Sequence, residues 1–233
     1  MEPNKKTARI AGLLYLIVVL SGIFSLMYVP SKLIIADDAS KTIQNIVLNE
    51  SIYRWGIAVG FICYTAFLLL PLFLYRLLKA VNEMYARLMV IFVVVSTPIS
   101  FLNLLNKFAV LAIIHGPGNL LENEALQAQL MFYLRLYNYG ILITFIFWGL
   151  WLLPFGYLVF RSGFLPKILG VLLMIGCFGY LTNVFGQTLI QDYKDLWISD
   201  YVSLPGSLGE IGICLWLLIV GIKSSQAAKS NSN

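Results

Sequence analysis

The chain has 233 residues, of which 60% are hydrophobic and 12% charged, with a formal net charge of +5. Soluble domains carry about 25% charged residues, so a chain this apolar excludes water as its main solvent and requires lipid. A single histidine excludes bis-histidine haem ligation and argues against a histidine-based metal cluster. No basic run interleaved with aromatics lies in a polar segment, which argues against nucleic acid as a partner. Cys63, Cys177 and Cys214 fall in apolar segments without a C-x-x-C spacing and read as small packing residues. No metal or cofactor is expected.

A spanning helix needs about 20 mainly apolar residues, at about 1.5 Å each across a hydrocarbon core of about 30 Å. Six segments meet that requirement. The first covers about residues 10–29, after Lys5, Lys6 and Arg9. Its apolar run is long for a signal peptide and lacks an A-x-A cleavage site, so it reads as an uncleaved anchor, ended by Pro30. Residues 31–50 are polar. Asp38 is placed to cap a short helix with Ile43, Ile46 and Val47 on one side, the spacing of an interfacial segment, with an ordinary loop as the alternative.

The second span covers about residues 52–75, with Arg54 near its start and Gly56 and Gly60 in a G-x-x-x-G that lets another helix approach closely. The third covers about 88–114 and carries Asn103, Asn106 and Lys107, which share one helix face. A charge in mid-bilayer costs about 2.5–3.5 kcal/mol on insertion scales, so that face should meet protein or water. Residues 119–135 are more polar and can form a helix leading into the fourth span, about 136–160, with Arg135 and Asn138 at its entrance. The fifth span, about 168–189, carries Asn183 and Gln187 four apart, and the sixth, about 204–222, contains Glu210. Residues 1–223 are expected to form a single transmembrane domain and residues 224–233 a disordered cytoplasmic tail. Pro71, Pro98 and Pro154 lie in successive spans and free the carbonyls of Phe67, Val94 and Leu150.

Four stretches resemble a family of bacterial six-helix integral membrane proteins known as domain of unknown function four-three-eight-six. They are Arg9-Ile-Ala-Gly-Leu-Leu-Tyr-Leu-Ile17, Tyr75-Arg-Leu-Leu-Lys-Ala-Val-Asn82, Arg161-Ser-Gly-Phe-Leu-Pro-Lys-Ile-Leu-Gly-Val-Leu-Leu173 and Gly209-Glu-Ile-Gly-Ile-Cys-Leu-Trp-Leu-Leu218. The resemblance implies six spans and a bacterial inner membrane. It brings no reaction, substrate or catalytic residue.

Counting along the helices puts Lys107 about 12 Å and Glu210 about 9 Å below the same face. Arg54, Arg135, Asn138, Asn183 and Gln187 fall in the same half. Together with Asn103 and Asn106 they form the candidate polar cluster, in which Lys107 and Glu210 are expected to face each other with the asparagines as hydrogen-bond partners. The same groups can equally serve to lock helices together. His115, at the end of the third span, is a further candidate for a titrating group.

Catalytic signatures are missing: there is no H-E-x-x-H, and Pro205 replaces the first glycine of a G-x-S-x-G. The sequence therefore reads as an all-α, six-span protein without catalytic activity. Its leading function is binding a lipid or small amphiphile in an outward-facing polar pocket. The alternative is a secondary transporter or channel for a small solute, and the third reading is a lipid-modifying enzyme.

Lys5, Lys6, Arg9, Arg76, Lys79, Arg87, Arg161, Lys167, Lys223 and Lys229 gather on one side of the spans, against Lys32, Lys41 and Lys194 on the other, with Arg54 and Arg135 at helix entrances there. The positive-inside rule then places both termini in the cytoplasm. A reporter fused after Asn233, or within residues 80–86, is expected to signal a cytoplasmic location, and one within residues 190–200 an external location. A cytoplasmic signal from the 190s contradicts this topology.

Overall fold

Six helical segments are long and apolar enough to cross a membrane: Lys5–Leu33, Glu50–Leu78, Glu83–Ile114, Glu124–Arg161, Lys167–Leu189 and Trp197–Ile219. They come from a computed structural model, which describes residues 4–35, 38–117, 120 and 123–222. The described residues hold helices and no strand. Even the segments of 23 residues exceed a hydrocarbon core of about 30 Å at about 1.5 Å per residue. Each contains or overlaps one expected span, and they are called the first to sixth spans below. The tail at 224–233 lies outside the described residues, as do Asp37, Glu122, Lys223 and Lys229.

Pro30 does not end the first span. The α-helix Lys5–Gly22 passes into a π-helical stretch, Ile23–Tyr28, and then into a last α-helical segment, Val29–Leu33. Pro30 occupies the first turn of that segment, where a missing N–H removes no hydrogen bond that the segment itself needs.

The helix leading into the fourth span forms, and it starts at Glu124. Leu130, Leu134 and Tyr137 are all buried, at the spacing of one helix face, so the polar residues between them occupy the other face. This helix breaks at Trp151 and resumes over Leu152–Arg161. The break falls beside Leu150, the carbonyl that Pro154 cannot serve. Pro71 and Pro98 lie inside continuous helices. The sixth span opens with a short helix, Trp197–Tyr201, and its main helix, Leu204–Ile219, stops short of the expected residue 222.

The short helix forms over Ala39–Leu48 with Asp38 as its cap. The Asp38 carboxylate accepts from the Lys41 backbone N–H at 2.9 Å and pairs with the Lys41 ammonium at 2.8 Å. These bonds hold the Asp38 carboxyl below its usual range. Thr42, Ile43 and Ile46 are buried, and the Thr42 hydroxyl bridges the backbone N–H and carbonyl of Ile35.

By their internal contacts the described residues sort into two compact units. The first draws on the described residues within 4–16, 66–96 and 143–222, the second on those within 17–65 and 97–142. In the first, Tyr15, Phe67, Trp151 and Phe155 build an aromatic core. Trp151 stacks on Phe155 at 5.1 Å and meets Phe67 edge-on at 5.2 Å. The fifth and sixth spans touch backbone to backbone, since a Cβ on Gly176 would stand 2.4 Å from the Gly206 Cα. In the second unit, Val29, Leu33, Ile43, Ile46, Ile57, Val110, Leu111, Leu130 and Leu134 share one core.

Gly176→Ala is therefore expected to cost about 1–3 kcal/mol by overpacking and to lower the thermal midpoint in detergent. Gly60→Ala is the control, because its nearest neighbour, the Leu104 side chain, leaves 3.6 Å. A midpoint unchanged by Gly176→Ala contradicts the contact.

Candidate functional site

In the second unit, the third span carries Lys107 into the protein, leaving it 4% exposed. Its ammonium lies over the Tyr137 ring, 4.3 Å from the centroid. A cation over an aromatic face gains from the ring quadrupole, and gains more where water is scarce. The Lys107 backbone carbonyl accepts from the Tyr53 hydroxyl at 3.4 Å. Among the described residues the ammonium itself makes no hydrogen bond or ion pair. Lys107 also lines a cavity of about 20 Å³, shared with Val29, Pro30, Leu33, Ile34, Tyr53, Leu134, Tyr137 and Asn138. That volume admits about one water-sized group. The π-helical stretch leads directly into Val29 and Pro30, and such stretches often mark functional sites.

The two asparagines do not serve Lys107. Asn103 donates to the Tyr137 carbonyl at 2.9 Å, and Asn106 donates to the Asn103 side-chain oxygen at 3.0 Å. Gly140 makes room for this, since a Cβ there would meet Asn103 Oδ1 at 2.0 Å. The pair ties the third span to the fourth and leaves the ammonium to Tyr137. Of the other expected site residues in this unit, only Asn138 lines the cavity. Arg135 is exposed. Arg54 belongs to an exposed cluster at the ends of the second and third spans, where it pairs with Glu50 through Nε. His115 Nε2 lies 2.9 Å from Glu50 Oε1 and 3.2 Å from Arg54 Nη2. One ring nitrogen therefore faces an acceptor and a donor and can satisfy one at a time.

The first unit holds the remaining three. Glu210 accepts from the Tyr15 hydroxyl at 3.0 Å and from the Tyr180 hydroxyl at 3.3 Å, joining the first, fifth and sixth spans. Asn183 accepts from the Tyr193 hydroxyl at 2.9 Å and donates to the Ser199 carbonyl at 3.3 Å, which anchors the connection after the fifth span. Gln187 is partly buried on the same helix. The expected Lys107–Glu210 pair is thus corrected: the carboxylate is served by two phenols and the ammonium by an aromatic face. Tyr15, Tyr53, Tyr137 and Tyr180 were missed because the sequence reasoning sought opposite charges. The available signal was tyrosine within apolar spans, where a hydroxyl needs a partner.

The fold and these polar groups define an all-helical, multi-pass membrane protein. Residues 10–221 match the family described as Domain of unknown function (DUF4386), and the chain belongs to that family. It is also similar to an uncharacterized protein of Archaeoglobus fulgidus, 32% identical over 96 residues, which is 40% of this chain and 53% of that protein. The chain thus matches about half the length of that relative. No solved structure matches.

Because Lys107 and Glu210 have no partner in common, the effects of Lys107→Met and Glu210→Gln on folded yield and midpoint should add to within about 0.5 kcal/mol. Tyr15→Phe should cost about 1–3 kcal/mol by removing a bond to a carboxylate. Rescue of Glu210→Gln by Lys107→Met contradicts this assignment.

Proposed function

We propose that the protein binds a lipid or small amphiphile without transforming it, with the ligand's polar end at Lys107. The observation that carries this reading is the buried Lys107, which lines a cavity and whose ammonium has no hydrogen-bond or ion-pair partner among the described residues. A buried charge kept without a partner costs several kcal/mol, and charges in membrane spans are by default functional. A role in holding helices is already filled by Asn103 and Asn106. The cavity walls are apolar except for Lys107, Tyr53, Tyr137 and Asn138, the mixture that suits an amphiphile with one polar end. With the basic loops in the cytoplasm of an inner-membrane protein, the pocket lies in the outer half of the membrane.

Native mass spectrometry of gently extracted protein is expected to show a retained amphiphile on the wild type, reduced in Lys107→Met. A wild type that retains none, and takes up none from mixed lipid vesicles, contradicts the reading. Net movement of the ligand across proteoliposomes would make the same pocket a transport site.

A further inference from the structure

We infer that the group seated at Lys107 is the oxyanion of an acidic amphiphile: one carboxylate or phosphate oxygen attached to an apolar chain. The inference rests on the reading above and adds the chemistry of the ligand's head. An ammonium has three donors and no acceptor. Tyr137 offers Lys107 a ring face, which takes up charge but fills no donor position. What is lacking is an acceptor, and a charged acceptor forms the stronger bond.

Among the described residues none supplies one to the ammonium. Glu50 is engaged by Arg54 and His115, Glu83 by Arg87 and Tyr75, and Glu210 by Tyr15 and Tyr180. A cavity of about 20 Å³ holds one oxygen-sized group and no whole headgroup. The head must therefore be compact, or present one oxygen while its remainder stays at the mouth. Val29, Leu33, Ile34 and Leu134 on the walls offer a second charge no partner, so the apolar chain stays outside with the rest of the head. A cationic head is repelled by Lys107, and a neutral hydroxyl forfeits the charge-assisted bond.

The test uses the full-length protein in detergent. Binding is measured by native mass spectrometry and thermal shift for a long-chain fatty acid, the fatty alcohol of the same length, phosphatidylglycerol and the diacylglycerol with the same chains. At equal concentration the wild type is expected to prefer the fatty acid to the alcohol, or phosphatidylglycerol to diacylglycerol, at least tenfold. Whichever pair shows the preference identifies the carboxylate or the phosphate as the source. Lys107→Met is expected to abolish the preference while still folding, because an apolar side chain of similar volume replaces a buried charge. The wild-type comparisons decide the matter even if that variant fails to fold.

Equal binding of charged and uncharged amphiphiles overturns the inference and leaves the binding function intact, whereas no binding of any amphiphile overturns the function itself. Lys6 and Arg9 line a separate shallow groove with Ile10, Leu13 and Leu218. A double Lys6→Gln, Arg9→Gln variant should keep the preference; if that variant loses it, the selectivity belongs to the groove and the inference fails.

Discussion

Hydrocarbon offers no hydrogen bonds, so every polar group carried into the membrane must find its answer inside the protein. The arrangement of this chain follows from that constraint. Glu210 is answered by two phenols from other spans, and Asn103 by a backbone carbonyl that Gly140 leaves within reach. Each answer fixes the approach of at least one other helix. Lys107 departs from the pattern, because its carbonyl and the face of its charge are provided for while its donors find no partner among the described residues.

Tyrosine solves the problem repeatedly here. Its ring packs as an apolar body, and its hydroxyl reaches a single acceptor. Tyr15 is 1% exposed, among Trp151 and Phe155, and still delivers a hydrogen bond to the sixth span. A lysine or arginine in the same place would bring a second charge to desolvate, at a cost that ion pairing often fails to offset. Glycine contributes the complementary property. At Gly176 and Gly206 it removes side chains altogether, so that two helices meet along their backbones. Dispersion between closely packed helices then replaces the hydrophobic drive that lipid cannot supply.

The sequence made the spans legible because length and hydropathy are set by the bilayer and need no knowledge of partners. The Asp38 cap and the buried Ile43 and Ile46 were legible for a similar reason, being local to one helix. Pro30 misled because its usual effect assumes a regular α-helix before it, and the preceding turns are π-helical. The helix that leads from Glu124 into the fourth span was legible despite the polar residues on its outer face. Partner choice was the least legible property. Counting residues places Lys107 and Glu210 at similar depths but says nothing of their azimuth, and the tyrosines that serve them are 4 among 13 in the chain.

The π-helical stretch at Ile23–Tyr28 has a bearing on how such a chain arises. A π turn is what an α-helix becomes when it absorbs one additional residue without breaking. Each residue advances an α-helix by about 100°. Removing one residue between Ile23 and Tyr28 would let the helix return to regular winding and swing Val29, Pro30 and Leu33 about a quarter turn around its axis. The cavity beside Lys107 would lose that wall, although no residue that lines it had changed. An alignment of descendants of this fold should therefore show the length of the first span, more than the identity of its residues, varying with the pocket.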